Sequence, residues 1–215
     1  MKSKLHWNFV GAVLAYSVAC KVLPYMLHAL NTAGFPIDPQ QTWYPWNFSP
    51  YWAVFAFCGA IIPARRWAIA IPLLMMLVSD MLIYLVYGNQ FETSTDWMVQ
   101  AWVYASFAIC GLMGMVIRNQ PNLFRGIGAS LPGAILFYIT TNYAMWAYGE
   151  GQFYPQSVDG LWASYVAGLP FLRTSLISTT VYAGLFFSPW GLGLAGVSPQ
   201  HAGLMIEPAV ERVRG

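Results

Sequence analysis

Two ionisable residues, Asp80 and Arg173, lie in stretches of the chain that are otherwise apolar enough to cross a bilayer. A charge at that depth costs about 3 kcal/mol on insertion scales, so it is rarely kept without a role. We therefore expect both side chains to face the interior of a helix bundle. Their opposite signs indicate a buried ion pair, a polar ligand site, or both.

Further polar and aromatic residues recur at helical spacing near these two charges. Asp80, Tyr84 and Tyr87 are spaced i, i+4, i+7 and therefore share one helix face. Similar stripes are Asp96, Gln100 and Tyr104; Tyr138, Asn142 and Trp146; and Tyr165, Leu169 and Arg173. Two interpretations stay open. These groups line a pocket for a polar, partly aromatic small molecule, or they join helices by interhelical hydrogen bonds.

The composition excludes several classes of protein. Hydrophobic residues make up 58% of the chain and charged residues only 8%, whereas soluble domains carry about 25% charged residues. The net charge is only +2 and no basic run occurs, which argues against nucleic-acid binding. Cys20, Cys58 and Cys110 lie in apolar runs without metal-ligand spacing, so we expect neither a metal site nor a disulfide framework.

Six apolar segments are available to position the polar residues, because a helix needs about 20 largely apolar residues to cross the hydrocarbon core. The predicted spans are residues 5–27, 51–62, 67–87, 97–117, 127–148 and 161–187. The second is short, and it either begins earlier, near Phe48, or forms a short tilted helix. The predicted fold class is an all-α, six-helix membrane domain over residues 1–188, followed by a tail at 189–215.

The charges in the connecting segments predict the orientation of these spans. Lys or Arg precedes span 1, lies between spans 2 and 3 and between spans 4 and 5, and follows span 6, whereas the other connections carry only Asp and Glu. By the positive-inside rule both termini are cytoplasmic, and the alternation favours six spans over five or seven. We expect a multi-pass protein of the bacterial inner membrane with a cytoplasmic tail.

Two further segments have two interpretations each. The connection from His28 to Pro50 is long, aromatic and rich in proline, and it either anchors the protein at the membrane surface or covers a ligand as a lid. His28 is the only external imidazole available to a ligand or metal. In span 1, Gly11, Ala15 and Ala19 form a small-residue seam, for which we expect packing inside the bundle. The alternative is a docking face for another subunit.

Several short motifs carry a resemblance to a known family. They are Trp46-Asn47-Phe48-Ser49-Pro50, Ser79-Asp80, Thr141-Asn142 with Trp146, and Leu169-Pro170-Phe171-Leu172-Arg173-Thr174. Together they resemble a bacterial family of proposed transport proteins. That family is similar to the membrane S components of energy-coupling-factor (ECF) vitamin transporters, and it includes the BtuM-type cobalamin transporters. The resemblance covers roughly residues 22–187.

The resemblance implies a six-helix S-component fold with an outward-facing pocket, in which Asp80 and Arg173 match polar positions. It implies a vitamin-like ligand such as cobalamin and, as partner, an ATP-driven ECF module that would meet the seam in span 1. Some members hold cobalt through a cysteine after span 3. Here no cysteine lies between Gly88 and Trp97. The axial ligand of a bound corrinoid would then be His28 or no protein atom.

We therefore expect a membrane transporter or substrate-binding subunit for the uptake of a vitamin-like solute, with cobalamin as the best candidate. The alternatives are a non-catalytic assembly or scaffold subunit and an integral-membrane enzyme. The chain has no Ser/His/Asp set, no HExxH motif and no paired carboxylates at helical spacing within the predicted spans, so we expect no catalytic residues and no resident cofactor. The candidate substrate-binding residues are Asp80, Arg173, Tyr84, Tyr87, Trp97, Gln100, Asn142, Trp146, Tyr165 and His28.

Overall fold

The computed structural model describes residues 5–35, 48–87, 97–149 and 151–197, and this part of the chain is helical without a strand. The helices are α1 (Trp7–Thr32), α2 (Tyr51–Ile61), α3 (Arg65–Tyr87), α4 (Trp97–Val116), α5 (Leu123–Tyr148), α6 (Val158–Phe186) and α7 (Pro189–Leu194). The prediction of an all-α fold is confirmed. Residues 36–47, which hold most of the predicted lid or anchor, lie outside the described residues, as do residues 88–96.

Four of the helices are long and apolar enough to cross a membrane, which indicates a membrane protein. They are Trp7–Thr32, Arg65–Val86, Met98–Val116 and Leu123–Tyr148. Helix α2 has 11 residues, which gives a length of about 16 Å at 1.5 Å per residue. That is roughly half the thickness of the hydrocarbon core. The crossing of the membrane by all six predicted spans, and their orientation, remain predictions.

The short helix α2 forms the centre of the bundle. All 11 of its residues are buried, and it packs against α1, α3, α4, α5 and α6. Its closest neighbour is α4, because a Cβ atom on Gly59 would collide with the backbone of Gly111, and one on Gly114 would collide with the backbone of Ala56. The two backbones can approach this closely only because these positions carry no side chain.

The C-terminal end of α2 is closed by Arg118, which follows α4. Its guanidinium donates to the carbonyl oxygens of Gly59 at 3.0 Å, Ile62 at 2.9 Å and Pro63 at 3.2 Å. These are carbonyls that a helix end leaves without intrahelical partners. Burial, together with the nearby charge of Arg65, lowers the pKa of Arg118 from its ordinary value. Arg118 therefore fixes this end of α2 to α4.

The structure corrects the expectation for the small-residue seam of α1. Gly11, Ala15 and Ala19 are all exposed on the surface of the bundle, and a Cβ on Gly11 would meet nothing within 4 Å. The reason is that α1 turns another face inward, where Val10, Val13 and three further residues are buried. The seam therefore does not mediate packing inside the bundle.

The predicted tail begins with a segment that packs on the bundle. Helix α7 contacts α6, and Leu192 and Ala195 are buried. The chain also returns to the start of α1, because the backbone N–H of His6 donates to the Ala195 oxygen at 3.0 Å and its Nδ1 donates to the Leu194 oxygen at 3.0 Å. The packed bundle of helices thus includes α7, and residues 198–215 lie outside the described residues.

Candidate functional site

A cavity of about 380 Å³ lies inside the bundle beyond the N-terminal end of α2. Residues from α1, α3, α4, α5 and α6 form its walls, while Ser49, Tyr51 and Trp52 from the start of α2 contribute to its floor. The cavity exists because the five surrounding helices are nearly twice the length of α2 or longer. They continue past the point where α2 begins, and among the described residues no central helix fills the space between them.

The floor of the cavity is a cluster of packed aromatic rings. Trp52 stacks on Phe107 with ring centroids 3.9 Å apart and an interplanar angle of 6°. Phe137 lies 4.8 Å from Trp52, and Tyr51 lies 5.8 Å from Phe107, both measured between ring centroids. Such contacts hold the rings in fixed positions. The floor therefore offers a rigid apolar surface to a bound molecule.

The charged group in the described wall of the cavity is Lys21 of α1. Its ammonium contacts Asp80 Oδ1 at 2.5 Å and lies 5.3 Å from the centroid of the Tyr51 ring. The Lys21 and Asp80 side chains are 23% and 27% exposed, so the pair is largely withdrawn from the surface. Asp80 stands behind Lys21 and also accepts hydrogen bonds from Tyr104 at 2.7 Å and Gln100 at 3.4 Å.

Asp80 does not form an ion pair with Arg173, which is one interpretation of their opposite charges, and the expectation that Arg173 faces the interior of the bundle is wrong. Asp80 pairs with Lys21, whereas Arg173 is exposed on the outer face of α6. The cause is the helical period of α6, because Arg173 lies nine residues from both Ser164 and Tyr182, two buried residues that define the inward face. Nine residues correspond to two and a half turns, so Arg173 points to the opposite side. A long Arg side chain can follow the helix surface towards a polar layer.

Tyr84 is a second predicted binding residue that faces away from the cavity, with 56% of its surface exposed. The inward face of α3 is set by Met76, Ser79 and Ile83, which are buried. Tyr84 lies five residues beyond Ser79, roughly 140° around the helix. Asp80 lies at the flank of the inward face, next to α1, which is why it meets Lys21. The side chains of Tyr87 and Trp97 lie outside the described part of the structure.

Asn142 is the predicted binding residue that the structure places in the cavity wall. Its Nδ2 donates to the Tyr138 carbonyl oxygen at 2.7 Å. The Asn142 side chain also lies against Gly168 of α6, where a Cβ would come within 2.6 Å of its Oδ1 atom. Thr141, Ser175, Ser49 and Tyr138 add further polar groups to the wall. Gly168 therefore gives Asn142 the room to sit between α5 and α6.

The remaining predicted residues serve mainly to join elements. Trp146 Nε1 donates to the Pro155 oxygen at 3.0 Å, and the Tyr165 hydroxyl donates to the Ile139 oxygen at 3.1 Å. Gln100 contacts Asp80 rather than the cavity directly. His28 lies within α1, which continues to Thr32 beyond the predicted end of span 1. It follows Lys21 by seven residues, or two turns, and therefore shares the face of α1 that borders the cavity.

Sequence reasoning missed the residue that carries the charge of the cavity. Lys21 lies inside the first predicted span, six residues before its end, and a cation within an apolar span is the same signal that singled out Asp80 and Arg173. The aromatic floor gave no comparable signal, because aromatic residues are frequent throughout the chain. Over the described ranges, no three His, Cys, Asp or Glu side chains are grouped as a metal site would require.

These features define an all-α membrane protein in which a short central helix leaves a partly open cavity with an aromatic floor and a lysine in its wall. The chain belongs to a family of unknown function, DUF6580, which matches residues 2–197. The comparison with curated proteins found no match, and the comparison with solved structures found none.

Proposed function

We propose that this protein binds a small, partly apolar solute inside the membrane and takes part in its uptake, as a transporter or as the substrate-binding subunit of one. The observation that carries the proposal is the cavity beyond the N-terminal end of α2, with its aromatic floor and polar wall groups. A concave, mostly apolar site with a few placed polar groups is the usual form of a small-molecule site. The resemblance to vitamin transporters supports transport of the solute into the cell rather than out of it.

The distribution of arginine supports an outward-facing cavity. Arg65, Arg66 and Arg118 lie together at the end of the bundle opposite the cavity. Under the positive-inside rule that end faces the cytoplasm, and the cavity then faces the outside in a six-span bacterial inner-membrane protein. Single cysteines at Gln120 and Gln152 test this orientation. We expect a membrane-impermeant thiol reagent to label Gln152→Cys in intact cells and to leave Gln120→Cys unlabelled.

The size of the cavity bears on the choice of ligand. A volume of about 380 Å³ lies towards the lower end of the range for drug-sized ligands, which is about 300–1,000 Å³. A vitamin-sized solute fits this space. A corrinoid is far larger and would have to leave most of its ring outside the cavity. Cobalamin is still the first named ligand to test, because the resemblance includes cobalamin transporters.

The direct test is to identify what the purified protein carries. Native mass spectrometry of the full chain, released from detergent micelles, should show one bound small molecule. A visible spectrum of the same sample reports a corrinoid by its colour. Ser175→Phe places a ring in the cavity wall and should abolish both the bound mass and cellular uptake of the identified compound.

The matched control is Ile177→Phe, two residues away on α6, where the side chain is exposed outside the cavity. It should leave the bound mass and the uptake unchanged. If wild-type protein and both variants carry the same mass, or none carries any, the cavity is not a solute site and the proposal fails.

The scaffold alternative also has one observation in its favour, namely the exposed seam at Gly11, Ala15 and Ala19. A small-residue face allows another membrane helix to approach closely, as the predicted ECF module would. Under this alternative, Gly11→Leu should prevent copurification of a partner subunit while leaving the bound solute unchanged. Solute transport by the protein alone in proteoliposomes would make such a partner unnecessary.

A further inference from the structure

We propose that Lys21 is the recognition group of the cavity and that the solute carries a carboxylate on a compact apolar body. This inference rests on the proposed function, since it names the chemical class of the solute for the same cavity. It assigns the recognition role to a residue of α1 that the motifs of the sequence did not include. Asp80 then acts as a positioning residue, because it holds Lys21 at the wall from behind.

The geometry gives Lys21 spare capacity to bind a ligand. A lysine ammonium has three N–H donors, and Asp80 Oδ1 accepts from one of them at 2.5 Å. Lys21 belongs to the cavity wall, whereas Asp80 and its two other donors, Tyr104 and Gln100, are not among the lining residues. An anionic group in the cavity can therefore contact the ammonium from the side opposite Asp80.

The contacts of Asp80 allow this second bond to form at low cost. Its carboxylate accepts hydrogen bonds from Tyr104 and Gln100 in addition to Lys21. Three donors share the stabilisation of one carboxylate, and hydrogen bonds to a charged group are the strong ones. Lys21 can turn towards a bound anion without leaving Asp80 unpaired. A cation held by a single acceptor would lack this freedom.

The electrostatic surroundings favour an anion over a cation. In the described wall, Lys21 is the charged side chain and acidic side chains are absent. The N-terminal end of α2 opens on the same space, and the N-cap Pro50 makes no side-chain hydrogen bond to the first turn. The backbone N–H groups at the start of a helix carry partial positive charge. The amide of Asn142 and the hydroxyl of Ser175 add neutral hydrogen-bonding groups.

The residues that line the cavity indicate the shape and polarity of the rest of the solute, apart from its carboxylate. The rings of Trp52, Phe107 and Phe137 form the floor, and Phe171 lies on the α6 side. Together with the volume of about 380 Å³, this favours a compact aromatic or aliphatic body. A carboxylate bound by Lys21 would leave that body against the aromatic floor, since Lys21 lies over the ring of Tyr51.

The test uses three probes of nearly the same shape and different charge. They are 3-phenylpropanoate, 3-phenylpropanamide and 3-phenylpropylamine, titrated by calorimetry into the full chain in detergent. We expect the carboxylate to bind at least tenfold more tightly than the amide, and the amine to bind most weakly. Lys21→Met should reduce the affinity for the carboxylate to that for the amide, and Lys21→Arg should keep the preference for the carboxylate.

Two further variants separate recognition from structure. Asp80→Asn removes the charge that competes with a ligand for Lys21 but keeps a side-chain oxygen that can hold the ammonium in place. It should therefore raise the affinity for 3-phenylpropanoate, whereas a direct binding role for Asp80 would lower it. Leu23→Met, on the exposed face of α1 two residues from Lys21, should change nothing.

The charge of the copurified compound provides an independent readout. An anionic compound that Lys21→Met loses supports the inference. A neutral or cationic compound, or equal binding of the carboxylate and the amide, overturns the assignment of Lys21 and leaves the solute-binding function intact. Absence of both a copurified compound and probe binding removes the proposed function as well.

Discussion

The two ends of the bundle differ in what lies at their centre. At the end that contains the C-terminus of α2, backbones of α2 and α4 touch at glycines and Arg118 closes the helix. At the other end α2 is absent, and the same surrounding helices line the cavity. We call these the packed end and the open end.

The short length of α2 accounts for both the close helix packing at the packed end and the cavity at the open end. Where the central helix is present, small residues allow dense helix packing, so the frame is rigid. Where α2 is absent, the surrounding helices continue and leave a space. Polar side chains that face this space are available to a bound molecule. The packed end can therefore hold the helices around the cavity in place without contributing to ligand contacts. The following variants test this division, from the largest expected effect to the smallest.

The largest effect is expected at the contact between α2 and α4. Gly114→Ala places a Cβ against the backbone of Ala56, and Gly59→Ala places one against the backbone of Gly111. Backbone cannot move aside as a side chain can, so each variant should lower the free energy of unfolding by about 3 kcal/mol or more. Unfolding by titration with sodium dodecyl sulfate in mixed micelles measures the change.

Gly128→Ala in α5 is the matched control, because a Cβ there meets nothing within 4 Å. It should be neutral or stabilise the protein by up to about 1 kcal/mol through helix propensity. Equal losses of unfolding free energy for the control and for Gly114→Ala would show that the close contact between α2 and α4 does not stabilise the protein.

The next largest loss of stability is expected at the C-terminal end of α2, where Arg118 binds the carbonyl oxygens. Arg118→Met removes donors to three carbonyl oxygens at the end of the helix. Hydrogen bonds to charged groups contribute about 1.5–3 kcal/mol each when buried, and water reaches this exposed end, so we expect a total loss of about 2 kcal/mol. Arg125→Met, which removes contacts to the nearby Gln120 only, should cost much less in the same assay. A similar cost for both would contradict the role of Arg118.

At the open end we expect a smaller effect on the free energy of unfolding, which comes from the interaction between Lys21 and Asp80. Lys21→Met and Asp80→Asn each leave one charge without its partner, whereas the double variant removes both charges. Residues in direct contact show interaction energies of roughly 0.5–3 kcal/mol in such cycles, and the partial exposure of this pair places our expectation at about 1 kcal/mol. Additive losses in the double-mutant cycle would mean that the two charges do not interact.

The smallest effect is expected for polar groups that only join helices. The hydroxyls of Ser106 and Thr140 share a hydrogen bond of 2.9 Å between α4 and α5. Thr140→Val should lower stability by about 0.6 kcal/mol, the average for such bonds in membrane proteins. Its affinity for 3-phenylpropanoate should stay at the wild-type value. A loss of binding would extend the functional region beyond the cavity wall.

Helix existence and type were within reach of the sequence. Long apolar segments separated by polar connections determine where the chain can form helices in a membrane, and each predicted span corresponds to a helix whose ends differ from the prediction by at most five residues. The ends were harder to predict, because capping is local. Asn122 accepts from the backbone N–H of Arg125 at 3.0 Å and starts α5 four residues before the predicted span.

The tertiary structure decided which charges meet and where the cavity lies. The sequence marked Asp80 as a charge that needs a partner, but it did not show which of the Lys and Arg residues would lie beside Asp80. Only the packing of α1 beside α3 brings Lys21 to Asp80, and only the rotation of α6 turns Arg173 outwards. Helical spacing determines which residues share a face, whereas the contacts between helices determine which face points inwards. The cavity follows from the length of α2 relative to its neighbours, and the sequence contained that length without showing that α2 is the central helix.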